Sequence, residues 1–508
     1  MATELIVPQL LTLPTAWRER TAFTSSLGQL SFGALSEGAL GFAAWLARDA
    51  GVRPRDRVAI CLPRNLEAAQ AIIGILAAGA AYVPIQLHGP VLRLCAILEA
   101  IDPKLLVTTG EMKQRLSATG CKLPPVATVE QGGGLAPFLA PVSIGRAPVE
   151  PRPDDIAGIF LTSGSSGEPK GVMLSHRSMG EMAGWISRWN GASAADRLMS
   201  DAGLHYATAF DLFTPLFAGC RTILLSDREA MFPERVAEIM ERTGTTVWCS
   251  SATALHRLFE DGDLGRRDLG ALRRVEFFGE PLSVPVLRRL MECLPAAEFV
   301  NFYGATEAHR IAFYEVPRPL PGNLTSLPIG EPTDNYVLTL RDEAESEVPP
   351  GEVGEICVAG PKVLTGYAND PDLTATKRVG GLPGTYRTGD LGWLGADGLL
   401  RLVGRKDQIV KLRGNRFDLG EIEAVLKSDP AVAEAIAFAI PDPRGNLDVR
   451  AVVRSVDGVV IENRLRRLSA ERLPRFARPV RIDVLPRFPL LPSGKIDRQA
   501  LRRLVTDE

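Results

Sequence analysis

Residues Leu161 to Met173 read LTSGSSGEPKGVM, and an apolar run from Ile156 to Leu161 leads into them. Three glycines, three serines, one threonine and a single lysine, Lys170, share these thirteen positions. Glycine lets the backbone approach a ligand closely, hydroxyls and free amide N–H groups donate to anionic oxygens, and the lysine adds compact positive charge. This is the composition of a phosphate cradle following a strand. It is not the P-loop, because Gly164, Gly167 and Gly171 fall at other spacings and Gly171 follows the lysine directly. Taken alone, the stretch is equally well a flexible surface turn, so its surroundings have to decide.

Upstream, Leu30 to Ala47 carries apolar residues at helical spacing. Arg57 to Leu62 then reads as a buried strand, Leu66 to Ala78 as a helix and Ala80 to Ile85 as a strand, and the rhythm recurs over Ala96 to Thr108. Gly132 to Pro153 turns to glycine and proline and reads as a surface connection. Downstream, strands are expected near Thr222 to Leu225, Thr246 to Cys249 and Arg274 to Phe278. Such alternation predicts an α/β protein whose parallel sheets are covered by helices. Phe313 to Val403 is richer in short strands and Gly/Pro turns, and GRKDQIV at Gly404 to Val410 breaks the pattern before a compact last segment.

A chain of 508 residues exceeds a single core. Apolar content of 45%, charged content of 23% and net charge of −2 describe a globular protein without a nucleic-acid footprint. The N-terminus lacks a basic start and no apolar run is long enough to span a bilayer, so a cytoplasmic protein without membrane attachment is expected. Seven cysteines without C-x-x-C pairs point to reduced thiols rather than disulfides or zinc.

Four further stretches remove the ambiguity of the first. They are NFYGATE at Asn301 to Glu307, YRTGDL at Tyr386 to Leu391, GRKDQIVKLRGNRFDLGEIE at Gly404 to Glu423, and PSGKIDR at Pro492 to Arg498. In order and spacing the set resembles the signature motifs of the adenylate-forming superfamily, which holds acyl- and aryl-CoA ligases, luciferases and the adenylation domains of nonribosomal peptide synthetases. The resemblance implies a large N-terminal domain over 1–404 with a β-rich subdomain at about 313–403. A hinge at 405–410 carrying Asp407 and a small mobile α+β C-terminal domain over 411–508 follow.

It also implies ATP and Mg²⁺ as cofactors. Thr162, Ser163, Gly164, Ser165, Ser166, Gly167 and Lys170 would hold the β- and γ-phosphates, Tyr303 would stack on adenine, and Asp390, with Arg405 beside it, would bind the ribose. Thr306 matches the donor to the α-phosphate and Glu307 the Mg²⁺ ligand. Lys495 matches the lysine that stabilises charge between the attacking carboxylate and the α-phosphate, a task suited to a compact ammonium. Gly414 would let a thiol arm pass in the second conformation.

No carrier or condensation domain is read in the sequence, so a free-standing enzyme is expected. Its acceptor is either coenzyme A or the phosphopantetheine of a separate carrier protein, and GNRFDLGEIEAVL with FPLLPSGKIDRQAL favours the carrier protein. In amino-acid-activating relatives an aspartate binds the substrate's α-ammonium; alignment of HYATAFDLFTPL puts Tyr206 there, and a phenol does not replace a carboxylate opposite an ammonium. A β-amino or other non-α-amino acid is therefore expected, with Asp211 either the partner of a displaced amine or a helix-start aspartate. His205 matches a position near the substrate carboxylate in acyl- and aryl-acid members. Ala207, Phe210, Phe278, Phe302, Arg310 and Ile311 complete a short, apolar pocket in which Arg310, a guanidinium that needs an anion when buried, pairs with Asp211, faces a second substrate carboxylate or points to solvent. The alternatives are an acyl- or aryl-CoA ligase and an α-amino acid enzyme with an unusual pocket.

Overall fold

The computed structural model describes residues 4–506 except 89–90, 131, 140–148, 164–168, 208–209, 280–281, 323, 407–408, 413–414, 442–446, 457–461, 474 and 492–495. The chain forms two compact units. One is Met1–Thr339, Cys357–Thr388 and Ala396–Arg401, the other Leu340–Ile356, Gly389–Gly395 and Leu402–Glu508.

The first unit is built on two sheets. A seven-stranded sheet runs in the order Gly366–Tyr367, Pro169–Ser175, Ile156–Ser163, Ala81–Pro84, Arg57–Cys61, Leu105–Thr108 and Val126–Thr128, and its last five strands are parallel. RVAIC, AYVP and LLVT in its middle are buried almost throughout, as continuous apolar strands covered on both faces must be. Ser31 and Asn65 cap the helices Phe32–Arg48 and Leu66–Ala77, each side chain accepting from the backbone N–H three residues on. The two helices touch through glycine, since a Cβ on Gly74 would stand 2.8 Å from the carbonyl of Ala39.

The nine-stranded sheet runs Glu331–Pro332, His309–Glu315, Glu298–Ala305, Arg274–Phe278, Val247–Ser251, Arg197–Ser200, Arg221–Leu224, Thr21–Ser25 and Gly28–Ser31. Its core gathers Met199, Trp248, Leu255, Val275, Phe277, Leu287 and Phe299. Both sheets reverse their winding. Arg197–Ser200 leads on to a strand on one side of it, while its other neighbour, Val247–Ser251, leads on to Arg274–Phe278 on the far side. Arg57–Cys61 and Leu105–Thr108 repeat the arrangement in the seven-stranded sheet. Open α/β sheets bind ligands at such points, in the crevice beyond the carboxyl ends of the strands.

Short strands at Val337–Arg341, Gly354–Ala359, Thr385–Leu394 and Leu400–Arg405 fill the region read as β-rich. The second unit holds a hairpin, Ile409–Leu412 with Asn415–Asp418, and a sheet of Val432–Pro441, Leu447–Ser455 and Arg481–Leu485. Helices Leu419–Lys427 and Glu462–Arg472 close its core of Ile422, Leu426, Ala435, Val449, Leu465 and Ile482. The architecture is the expected α/β fold with a β-rich region and a small C-terminal unit. Among the described residues no helix is long and apolar enough to cross a membrane.

Candidate active site

The flanks of the glycine- and serine-rich stretch are paired strand rather than free loop. Ile156–Ser163 pairs antiparallel with Pro169–Ser175, setting Thr162 opposite Lys170, and both side chains are half-buried. Gly164, Ser165, Ser166 and Gly167 lie outside the described residues, as do Asp407, Gly414 and Lys495. Ser163 ends the first strand.

NFYGATE ends one strand of the nine-stranded sheet and turns back into His309–Glu315. The return is tight: a Cβ on Gly304 would stand 1.9 Å from the carbonyl oxygen of His309, and His309 itself adopts φ +52°. Tyr303 is buried, whereas Thr306 and Glu307 are half-exposed on the turn. The Tyr367 hydroxyl donates to Glu307 Oε1 at 2.8 Å, and the Leu364 N–H donates to the Glu307 carbonyl at 2.7 Å. Tyr367 also pairs with Val172 on the hairpin. This tyrosine therefore ties the Ile156–Ser163/Pro169–Ser175 hairpin to the Thr306–Glu307 turn, a role nothing in its own short stretch, LTGYAND, announced. Beside it Tyr386 is pushed far above the usual phenol range, by burial first and then by the negative charge of Glu307. In the second unit Arg405 Nη1 donates to Asp390 Oδ1 at 3.2 Å, so the two residues expected near the ribose contact each other.

The expected acid pocket is more charged than the sequence indicated. Ala207, Phe302 and Ile311 are buried and Phe278 half-buried, and Phe210 opens the short turn Phe210–Leu212. His205 packs on Tyr206 with ring centroids 4.2 Å apart and lies over Gly203, whose Cβ would stand 2.6 Å from the imidazole. Burial lowers its pKa to about 4, which keeps it neutral.

Asp211 lies in the first turn of the short 3-10 segment Phe210–Leu212 and is paired with a cation. Its Oδ2 accepts from Arg64 Nη2, and Arg64 also donates to the carbonyl of Ala202. Arg310 is buried and bonds to Glu276 rather than to Asp211: its Nη1 donates to Glu276 Oε2 at 2.6 Å, its Nη2 to Cys249 Sγ at 3.1 Å, and its guanidinium lies 4.2 Å from the Phe302 ring centre. Next to them Asp201 Oδ2 accepts from Ser250 Oγ at 2.8 Å. Arg64, Asp201, Cys249 and Glu276 were not singled out in the sequence. Arg64 and Asp201 each directly follow a central parallel strand, and Cys249 and Glu276 face each other in register on two more.

Behind this wall lies a second buried charge. Lys362, 1% exposed, donates to Thr333 Oγ1 at 3.3 Å and to the Asp334 carbonyl, and its ammonium sits 4.4 Å from the Tyr336 ring centre and 5.4 Å from that of Trp185. Ser178 Oγ bridges the Lys362 carbonyl at 2.8 Å and His309 Nε2 at 2.9 Å.

Two family models match the chain: "AMP-binding enzyme" over residues 14–368 and "AMP-binding enzyme C-terminal domain" over residues 421–495. A dimodular nonribosomal peptide synthase of Bacillus subtilis is 32% identical over 93% of this chain, which spans only 20% of that protein's length. An L-proline--[L-prolyl-carrier protein] ligase of Streptomyces coelicolor is 33% identical over 89% of this chain and 88% of its own. The ATP-bound structure of MatB from Rhodopseudomonas palustris superposes with a TM-score of 0.88 at 24% identity, over 99% of either chain. That likeness extends to the fold.

Proposed function

The chain belongs to the AMP-binding enzyme family, and from that premise we propose that it is an AMP-forming acid–thiol ligase acting on a β-amino or other non-α-amino carboxylic acid. A carboxylate oxygen of the substrate attacks the α-phosphorus of ATP, the bond to pyrophosphate breaks, and an acyl-adenylate forms. A thiol then takes the acyl group and AMP leaves. Such chemistry depends on positioning and electrostatics more than on covalent participation by the protein.

The residues fall into place as follows. Hydroxyls of Thr162, Ser163, Ser165 and Ser166, with Lys170, hold the β- and γ-phosphates, and Thr306 donates to the α-phosphate. Tyr303 stacks on adenine, and Asp390 with Arg405 takes the ribose. Mg²⁺ requires oxygen ligands and takes one or two carboxylates together with phosphate oxygens and water. Glu307 fits, because Tyr367 holds one of its oxygens and leaves the other on a half-exposed turn. The bound cation would supply positive charge to the phosphates. Lys495 stabilises charge at the α-phosphate during the first half-reaction, Asp407 is the hinge, and Gly414 admits the thiol arm.

The observation that supports the substrate reading is Tyr206, which alignment of HYATAFDLFTPL sets at the position of the aspartate that binds an α-ammonium in amino-acid-activating relatives, and whose ring packs on His205. The carrier-protein ligase relative, matched over most of both chains, supports phosphopantetheine on a separate carrier protein as acceptor ahead of coenzyme A. Acid-dependent pyrophosphate release across α-amino, β-amino, aryl and short alkyl acids tests the reading, followed by thioester formation with a carrier protein or coenzyme A. Silence with every acid would end the ligase assignment, and a preference for α-amino acids would end the substrate reading. Lys495→Ala should reduce adenylate formation by several orders of magnitude while preformed acyl-adenylate still yields thioester. Equal loss in both half-reactions would remove Lys495 from the first step.

A further inference from the structure

Asp201 follows the strand Arg197–Ser200 and bonds to Ser250 on the strand beside it, so the two straddle the point where the nine-stranded sheet reverses its winding. Arg64 follows the corresponding strand of the other sheet and reaches across to Asp211. Glu276 and Arg310 close the group from the next strands, and Cys249 lies within electrostatic reach of Arg310, Glu276, Asp211 and Asp201 at once.

The ion pairs in this group are incompletely satisfied. Arginine and carboxylate commonly meet through two parallel hydrogen bonds, yet here each pair is joined by one. Among the described residues Asp211 Oδ1, Glu276 Oε1, Arg64 Nε, Arg310 Nε and His205 Nε2 have no partner. The four charged side chains are only 9%, 1%, 2% and 6% exposed, respectively. Buried polar atoms are nearly always bonded, and a set of exceptions in one place needs an explanation. Unpartnered donors and acceptors are both present, so charge must choose the ligand. Three carboxylates against two guanidiniums leave one negative charge uncompensated in a dry crevice, which attracts a cation and repels a second carboxylate. Asp201 is the carboxylate without a guanidinium, and burial raises its pKa to about 6, as for an anion awaiting its counter-charge.

We propose that this crevice is the distal subsite of the acid pocket and takes a protonated aliphatic amine, held by Glu276 Oε1 and Asp211 Oδ1, with Asp201 supplying the uncompensated charge. The inference rests on the ligase reading above, and it narrows the substrate to an acid carrying a basic amine away from its carboxylate.

The test pairs amino acids with methyl isosteres in the pyrophosphate-release assay: β-alanine with butanoate, 3-aminobutanoate with 3-methylbutanoate, and 4-aminobutanoate with pentanoate. At least one amine should exceed its isostere in kcat/KM. Glu276→Gln and Asp201→Asn should each reduce that ratio at least about tenfold, the scale expected when a buried charge partner is removed. In the wild type the ratio should fall as pH drops through about 6, where Asp201 takes up a proton; this readout stands even if a variant fails to fold. Isosteres turned over as well as their amines, or a ratio indifferent to both substitutions and to pH, would overturn the inference while leaving the ligase assignment intact. No pyrophosphate from any acid of the wider panel would overturn the assignment beneath it.

Discussion

The wall that holds Arg310 and the wall that holds Lys362 bury charge in opposite ways. At Lys362 the ammonium has two oxygens and two aromatic faces, and Ser178 bonds to the carbonyl behind it. At Arg310 and Arg64 each ion pair leaves one oxygen and one nitrogen unpartnered among the described residues. Both walls border the same turn, since Thr333 Oγ1, which accepts from Lys362, itself donates to the Arg310 carbonyl at 2.9 Å. A buried charge that is completely bonded is a structural fixture, whereas one with spare valence is a socket. Burial alone does not distinguish the two, and counting bonds does.

The largest effect should come from breaking the socket. Arg310→Met leaves Glu276 charged and unpaired, which should cost about 3–5 kcal/mol in urea denaturation. Glu276→Met in addition should recover most of that, because an apolar pair tolerates burial that a lone carboxylate does not. If the double variant is no more stable than the single one, the two residues are not an isolated pair. In the other wall, Ser178→Ala removes the bridge between His309 Nε2 and the Lys362 carbonyl, for an expected loss of about 1–3 kcal/mol. Thermal melts with and without an amino acid substrate sharpen the contrast: the ligand should raise Tm less in Glu276→Gln than in the wild type, and equally in Ser178→Ala and the wild type.

The smallest effect belongs to Lys362→Met. Burial lowers the ammonium's pKa from 10.5 to about 8, so its charged form costs about 3 kcal/mol at neutral pH. Losing two hydrogen bonds worth about 1 kcal/mol each nearly cancels that relief, for a net change within about 1 kcal/mol. The sign with pH is distinctive. Between pH 8 and 10.5 the unfolded chain holds a proton on Lys362 that the folded one has released, so stability rises with pH across that window. Wild type should therefore gain on Lys362→Met from pH 8 to 10.5 in paired urea titrations. A constant difference would mean that the lysine titrates normally and is wetter than its cage suggests.

The strands and the motif around Lys170 were far more legible in the sequence than the charged group around Arg310. The strands at 57–61, 81–84, 221–224, 247–251 and 274–278 fall within a residue or two of where apolar runs placed them, because a strand buried on both faces has no alternative spelling. Glycine, serine and lysine around Lys170 advertise the hairpin's end locally, although its flanks proved to be paired strand. The charged group around Arg310 has no such local signature. Arg310 finds Glu276 across a distance of 34 positions, and Tyr367 finds Glu307 across 60. A lone arginine after Cys61 or a glutamate within RVEFF has many ordinary readings until the sheet order sets it against its partner.

Arg64 and Asp211 stand 147 positions apart, in connections that follow strands of different sheets. A polypeptide severed anywhere between them yields one piece with a guanidinium and one with a carboxylate, each shaped to be dry and neither able to be so alone. The molecule thus contains a natural seam for split-protein reporters, in which reunion of the halves is gated by a matched charge as well as by apolar surface.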